Sequence, residues 1–307
     1  MKNGGGKGED MKDRFEERTK GRAEESGKEG ARDRMEGRGK EKAGGRVLAD
    51  YHVHTVFSDD SETPMEDAVL HAIAVGLQEI CFTEHIDYGV KTDLNCDCDA
   101  YMREVRRCQE LYGDRIKIGL GMEFGMQAHT IGQFQETFDK YPFDFIILSC
   151  HQVEDKEFWT YEFQNGKSQE EYNRRYYQEI LNVAENYDDY SVLGHLDMIH
   201  RYDRAGIYPF EKVKDLVEEI LRRVIAGGKG IEVNTSCYRY KLPDLTPSRE
   251  ILRLYRQLGG EIITIGSDAH TIPWIGWETS RTQQELKELG FTSIYTFDKM
   301  KPVRHEL

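Results

Sequence analysis

The chain has 307 residues, and its 42 Lys or Arg against 56 Asp or Glu give a formal net charge of −14 at pH 7. This length suits one large domain or two ordinary ones, and the acidic balance makes the chain a poor electrostatic partner for DNA or RNA. No stretch approaches the ~18 apolar residues of a membrane span, so we expect neither nucleic-acid nor membrane partners.

The first 46 residues differ from the rest of the chain. They hold 14 Lys/Arg, 11 Asp/Glu and 11 Gly but only seven hydrophobic residues. Such a segment cannot bury enough apolar surface to offset the entropy of ordering, so we predict a disordered extension over 1–46 and one folded domain over 47–307. An arm that binds nucleic acid is the alternative, and the net charge of only +3 in this segment disfavours it.

From residue 47 onward, short β-branched runs alternate with longer helical patterns, which is typical of a parallel α/β fold. The predicted strands are a first one beginning at Val47, followed by 79–83, 116–122, 143–148, 191–194, 230–234 and 261–266. The predicted helices are 63–76, 100–112, 168–186, 209–226, one from 248 to 259, and 281–289, with a short strand over 293–297 after them.

Two of these helices carry start signals. Thr63-Pro64-Met65-Glu66 and Ser168-Gln169-Glu170-Glu171 both read as capping boxes, in which the first side chain accepts from the backbone three residues later. About seven βα units over ~260 residues favour a single barrel. In such barrels the functional groups lie at the C-terminal ends of the strands.

Side chains that bind metals recur at the predicted strand ends. They are His52, His54, His85, Glu123, His151, His195, Asp268 and His270. The first two stand at i and i+2, so a strand projects both imidazoles from one face. This number of ligands exceeds the need of one tetrahedral ion and suits two or three divalent ions, for which Zn, Fe and Mn are all candidates.

Ion clusters of this kind bind phosphoryl oxygens and activate water at neutral pH. The sequence shows no Ser-His-Asp or Cys-His nucleophile arrangement, no P-loop and no dinucleotide fingerprint. The reaction class that these residues indicate is therefore metal-assisted hydrolysis. Six scattered Cys without zinc-ribbon spacing, and the lack of an apolar secretory segment, predict reduced thiols in a cytoplasmic protein.

The order of these motifs resembles the polymerase-and-histidinol-phosphatase (PHP) family, from about residue 48 to the C-terminus. The motifs are His-x-His (52–54), Thr-Glu-His (83–85), Gly-Met-Glu-Phe-Gly (121–125), Ser-x-His (149–151), Gly-His-Leu-Asp (194–197) and Gly-Ser-Asp-Ala-His (266–270). Runs 194–202, 231–240 and 259–270 look most like the histidinol-phosphate phosphatases. The resemblance implies a distorted (β/α)7 TIM-like barrel with a trinuclear metal site.

The resemblance also implies which residues hold each ion. The first ion would have His52, His54, Glu123 and Asp268, and the second would have Glu123 as a bridge with His151 and His195. The third would have His85, His270 and Asp60, a position where many family members carry His. The alternative for Asp59 and Asp60 is that they cap the next turn. Among these ligands Glu123, His195, Asp268 and His270 are the expected catalytic residues.

Arg201 and Arg239 would contact the phosphate of the substrate by the same resemblance, since a forked guanidinium fits that task. Arg204 and Lys241 are nearby substitutes, and Tyr161, Phe163 or His200 could form a wall of the site. The sequence leaves two alternatives for each of two acidic residues. Glu84 either orients His85 or is a charge on a helix. Asp197 either orients His195 or forms hydrogen bonds behind the metal ligands.

The expected function is a metal-dependent phosphomonoesterase that converts L-histidinol phosphate to L-histidinol and phosphate in histidine biosynthesis. The alternatives are a PHP-family phosphoesterase for nucleotide or sugar phosphates and a non-catalytic metal-binding module. The expected partner is a small phosphomonoester, and the sequence makes no prediction of the oligomeric state.

Overall fold

The computed structural model describes residues 47–307, and the predicted disordered extension 1–46 lies outside the described residues. The strands are β1 Ala49–Val53, β2 Glu79–Phe82, β3 His85–Ile86, β4 Lys117–Gly125, β5 Phe145–Ser149, β6 Gln152–Val153, β7 Lys156–Glu157, β8 Val192–Leu193, β9 Gly230–Asn234, β10 Ile263–Gly266, β11 Ser293–Asp298 and β12 Lys301–Glu306. The helices are α1 Met65–Ala74, α2 Cys98–Tyr112, α3 Ile131–Lys140, α4 Gln169–Asn186, α5 Lys214–Ala226, α6 Ser236–Arg239, α7 Arg249–Gln257 and α8 Thr279–Glu288.

The main sheet is a parallel barrel. Its strands follow the order β1-β2-β4-β5-β8-β9-β10, and the short strand β3 pairs with the end of β4. The two ends of this order meet through backbone hydrogen bonds, because His54 N donates to Ala269 O (2.9 Å) and Asp268 N donates to His52 O (2.8 Å). The seven-stranded TIM-like barrel expected from the sequence is therefore confirmed.

Apolar composition explains why these segments form buried strands and covering helices. All five residues of β5 are buried, as expected for a parallel strand with neighbours on both faces. Helix α5 buries one side only, and the buried residues follow helical spacing: Leu216, Val217, Ile220, Leu221 and Val224. None of the helices in residues 47–307 combines the length and the apolar composition needed to cross a membrane.

The two predicted capping boxes have different outcomes. At α4 the box is present, because Ser168 Oγ accepts from Glu171 N (3.3 Å) and Glu171 Oε2 accepts from Ser168 N (2.6 Å). At α1 the prediction is wrong, since the N-cap is Pro64 and no side chain caps the helix. Thr63 instead donates its hydroxyl to His270 O at 3.1 Å, so a tertiary contact replaces the local one.

Three further details differ from the predicted pattern. Several elements have no counterpart among the predicted ones: α3, the short elements β3, β6, β7 and α6, and β12, which pairs antiparallel with β11. Glu123 lies inside β4 and not after its end, because both β3 and β5 pair with β4 at Glu123 and beyond it. The predicted helix over 209–226 is a 3-10 turn at Phe210–Lys212 followed by α5.

Candidate metal centre

One buried carboxylate lies at the centre of the imidazoles that the sequence predicts. Glu123 Oε2 is 3.1 Å from both His52 Nε2 and His85 Nδ1. Its other oxygen, Oε1, is 2.9 Å from His195 Nε2 and 3.1 Å from His151 Nε2. The four imidazoles come from different strand ends and surround both oxygens of one side chain, which is the arrangement that a bridging ligand requires.

The first predicted group consists of His52, His54, Glu123 and Asp268, and the structure brings its members together. His54 Nε2 is 3.5 Å from Glu123 Oε2 and 3.6 Å from Asp268 Oδ1. His52 Nε2 is 3.7 Å from the same Asp268 oxygen. The Nε2 atom of His54 is buried without a hydrogen-bond partner, although it faces two carboxylates. An uncompensated ring nitrogen at this position fits a divalent cation.

Asp268 has a backbone conformation that residues other than glycine seldom adopt. Its φ of 55° lies in the left-handed region, where Asp and Asn are tolerated better than most residues. The carboxylate also lies within 3.7 Å of three histidines, His52, His54 and His270, and 3.5 Å from Arg201. Burial would raise the pKa of Asp268, but the nearby charges of His52, His270 and Arg201 hold it below its ordinary value, so the group is ionised.

The second predicted group is Glu123, His151 and His195. One ligand atom from each of the three lies within 4.8 Å of the others, and all three residues are buried. The Nδ1 atom of His151 is 2.8 Å from Asp87 Oδ1. A carboxylate that holds Nδ1 in this way orients the imidazole so that its Nε2 faces the metal site.

The third predicted group joins His85 and His270 through Asp60. The Oδ1 atom of Asp60 is 3.2 Å from His270 Nε2 and 3.6 Å from His85 Nε2. The neighbouring Asp59 faces away from this group, because its Oδ2 accepts from Lys91 Nζ at 2.9 Å. Of the two adjacent aspartates, Asp60 is therefore the one that lies in a position to bind a metal ion.

His54 also borders this third group. Its ring stacks between those of His85 and His270, with centroid distances of 4.1 and 4.2 Å. The pKa of His54 is well below its ordinary value, first because the ring is buried and then because these two neighbours are cationic when protonated. A neutral imidazole is the form that binds metals.

Two acidic residues that the sequence analysis missed support the imidazoles. Glu232 Oε1 lies 2.6 Å from His52 Nδ1, and Asp87 Oδ1 lies 2.8 Å from His151 Nδ1. A carboxylate behind a ring nitrogen fixes the tautomer and strengthens the ligand. A signal existed for Glu232, which is the single charged residue of the strand Gly230–Asn234.

Glu84 and Asp197, for which the sequence left two alternatives each, stabilise loops and make no hydrogen bond to His85 or His195. Glu84 accepts from Thr55 Oγ1 (2.6 Å), Thr55 N (2.9 Å) and Ser58 Oγ (2.6 Å), so it fixes the loop after β1. Asp197 Oδ2 accepts from Ser248 N (2.8 Å) and thereby holds the start of α7. Both carboxylates are buried, and burial raises the pKa of each.

Both predicted phosphate-binding arginines lie beside the cluster. Arg201 Nη2 is 3.5 Å from Asp268 Oδ2, and Arg239 Nη2 donates to Asp268 O at 3.0 Å. The ring of Tyr240 packs against both guanidinium groups, with centroid distances of 4.0 Å to Arg201 and 5.1 Å to Arg239. Of the substitutes, Arg204 stacks on Tyr161 at 3.4 Å.

The sequence of this chain is similar to those of known proteins. Residues 50–236 match the sequence model of the PHP domain. The histidinol-phosphatase of Lactococcus lactis is 36% identical over 261 residues, which cover 82% of this chain and 95% of that protein. A "Probable histidinol-phosphatase" of Clostridium acetobutylicum is 30% identical over 236 residues, covering 75% of this chain and 89% of the relative.

A solved structure is similar over the same region. It is the crystal structure of histidinol phosphate phosphatase from Lactococcus lactis complexed with zinc, L-histidinol and phosphate. The superposition has a TM-score of 0.75 at 35% sequence identity and covers 83% of this chain and 98% of the other. Both the sequence and the fold of residues 47–307 thus have a relative of known three-dimensional structure.

Proposed function

This chain belongs to the PHP domain family, and we propose that it is a metal-dependent phosphomonoesterase that hydrolyses L-histidinol phosphate to L-histidinol and phosphate. One observation carries this proposal: a single buried carboxylate, Glu123, is contacted by four imidazoles, with two guanidinium groups beside the cluster. The relative solved with zinc, L-histidinol and phosphate supports the choice of metal chemistry and of substrate.

We assign three groups of ligands on this basis. His52, His54, Glu123 and Asp268 would hold the first ion, and Glu123, His151 and His195 would hold the second. The third ion would have Asp60, His85 and His270 as ligands. Divalent ions in such positions polarise phosphoryl oxygens and supply a water-derived nucleophile at neutral pH. The donor set of imidazoles and carboxylates suits Zn, Fe or Mn.

The protein's own side chains bind and orient the phosphate. Arg201 and Arg239 both contact Asp268, the first near its carboxylate and the second at its backbone oxygen. Two planar guanidinium groups can donate to several oxygens of one phosphate and offset its negative charge. Because the Arg201 side chain is only 9% exposed, little water competes for its donors.

The test is phosphate release from histidinol phosphate by the full chain purified with its metals. Wild type is expected to prefer this substrate over a panel of nucleotides and sugar phosphates. Asp268→Asn is expected to lose activity, because it removes the negative charge from the first ligand group while Asn still tolerates the left-handed backbone. Asp215→Asn is the matched control, since Asp215 lies on α5 and is paired with Arg174.

Three outcomes would distinguish the alternatives. Turnover of a nucleotide or sugar phosphate in preference to histidinol phosphate would replace the substrate and keep the metal chemistry. Metal binding without turnover of any phosphoester would point to a non-catalytic module. Equal activity of Asp268→Asn and wild type would contradict the assignment of the first ligand group. A cytoplasmic location stays a prediction, and the six free, buried cysteines support it.

A further inference from the structure

A chain of buried hydrogen bonds connects the ligand cluster to one of the arginines. His52 Nδ1 lies 2.6 Å from Glu232 Oε1, and the other oxygen of Glu232 accepts from Asn234 Nδ2 at 3.2 Å. Asn234 Oδ1 accepts from the Ser236 hydroxyl at 2.5 Å, and Ser236 Oγ accepts from Arg201 Nη2 at 2.7 Å. The three intermediate side chains are at most 1% exposed.

The directions of the hydrogen bonds between Glu232 and Arg201 follow from the chemistry of the groups. The backbone N–H of Ser236 also lies 3.0 Å from Asn234 Oδ1, and because an N–H can only donate, that atom is the amide oxygen. The amide nitrogen of Asn234 therefore faces Glu232, which accepts. The Ser236 hydroxyl donates its proton to Asn234 Oδ1. The lone pairs of Ser236 Oγ are then free to accept from Arg201.

Local structure explains how these side chains meet. Glu232 and Asn234 stand at i and i+2 in β9, so both project from the same face of the barrel strand. The chain then turns into α6, which begins at Ser236 and ends at Arg239. Arg201 comes from a different segment, the 3-10 helix Met198–Tyr202 after β8. The hydrogen bond to Ser236 thus ties two separate βα loops together.

We propose that Ser236 and Asn234, anchored on Glu232, are positioning residues that hold the Arg201 guanidinium at a fixed place beside the metal centre. This inference rests on the proposed function, in which Arg201 binds the substrate phosphate. Ser236 occupies one Nη2 donor of Arg201, while Nε makes no hydrogen bond although it is buried. The guanidinium also lies 3.5 Å from Asp268 Oδ2 and packs on the ring of Tyr240, and Nε stays available for a phosphate oxygen.

The primary test measures how tightly the metal-loaded chain binds inorganic phosphate, by calorimetry or by the phosphate-dependent shift in melting temperature. Ser236→Ala is expected to weaken phosphate binding by about tenfold, the loss typical of one hydrogen bond to a charged group. The KM for histidinol phosphate is expected to rise by a similar factor, with a smaller change in kcat and an unchanged metal content. Ser236→Thr, which keeps the hydroxyl, is expected to restore binding.

Ser191→Ala is the matched control. Ser191 is buried like Ser236, and its hydroxyl also accepts a hydrogen bond, from Ile146 N at 3.1 Å, but it precedes β8 at the other end of the strand from the cluster. This variant is expected to bind phosphate as wild type does. If Ser236→Ala does not fold, Ser236→Cys keeps the volume with a weak hydrogen-bonding group and carries the same expectation.

A double-mutant cycle separates positioning from a general loss of stability. In an Arg201→Lys background, Ser236→Ala is expected to have little further effect, because the guanidinium that it holds is gone. Equal tenfold effects in both backgrounds, or unchanged phosphate binding in Ser236→Ala, would overturn the proposal. Phosphate binding is measured without turnover, so failure to hydrolyse histidinol phosphate would refute the proposed function and leave this inference to be judged on its own.

Discussion

Replacing Asp87 with Asn tests whether the acids behind the imidazoles strengthen metal binding. Asp87 Oδ1 lies 2.8 Å from His151 Nδ1, and both side chains are buried. The backbone N–H of Asp87 donates to Asn95 Oδ1 at 2.7 Å, and the side-chain substitution leaves that bond in place. Asp87→Asn therefore keeps the shape of the loop and removes the negative charge behind the imidazole.

The contact between Asp87 and His151 explains why the substitution is expected to weaken metal binding. Burial alone would lower the pKa of His151, but Asp87 and Glu123 raise it to about 10, so the two carboxylates interact strongly with this ring. A more basic imidazole is a stronger metal ligand, and loss of a supporting carboxylate typically costs about 10- to 100-fold in metal affinity. This corresponds to roughly 1.4 to 2.8 kcal/mol of binding free energy.

The assay is a zinc titration of metal-free protein against a competing chelator. Asp155→Asn is the matched control, because Asp155 makes the same kind of contact with His129 (3.1 Å) at a position where both side chains are more than half exposed. We expect weaker zinc binding for Asp87→Asn alone, with activity recovering at high zinc concentration. Zinc affinity equal to wild type in Asp87→Asn would refute the supporting role of this carboxylate.

Three further predictions concern the phosphate-binding arginine, the metal ions and the cap of α4. Arg239→Ala is expected to raise KM by roughly 10- to 100-fold, the value of one or two charge-assisted hydrogen bonds. Arg222→Ala, on the exposed face of α5, is the control and is expected to leave KM unchanged. Equal KM values for Arg239→Ala and wild type would show that Arg239 does not bind the phosphate. Removal of metal with a chelator is expected to abolish phosphate release, and added Zn, Fe or Mn to restore it; activity in protein verified as metal-free would contradict the mechanism. Ser168→Ala is expected to destabilise the fold by about 1 kcal/mol through loss of the α4 cap, without a change in KM. A thermal melt and steady-state kinetics measure the two effects. An unchanged melting temperature would show that the cap does not stabilise the fold.

The sequence predicted the barrel and most of the cluster for one physical reason. In a parallel barrel every strand points the same way, so residues that follow different strands meet at one end. His54, His85, His151, His195 and His270 lie far apart in the chain, yet each follows or begins a short strand-like run. Recognising the runs was sufficient to predict the convergence, without knowing the exact strand boundaries.

Residues that act through other residues were harder to predict. Asp87 and Glu232 contact the outer nitrogens of His151 and His52, and nothing in their local sequence indicates which ring they face. The capping box at Thr63 failed for a related reason, since its hydroxyl is used by His270, which is more than 200 residues away. Local patterns predict local partners, and these contacts are long-range.

The closure of the barrel and the geometry of the ligand cluster depend on the same residues. Asp268 N donates to His52 O, and His54 N donates to Ala269 O, so backbone atoms of predicted metal ligands form the hydrogen bonds that join β1 to the end of β10. Buried Asp50 in β1 strengthens this seam by accepting from Ser267 N at 2.8 Å. The distances between these ligands are therefore fixed by main-chain pairing and by the barrel itself. Any ion that binds His52, His54 and Asp268 together also favours the closed barrel, because ligands that bind only the folded state stabilise it by mass action.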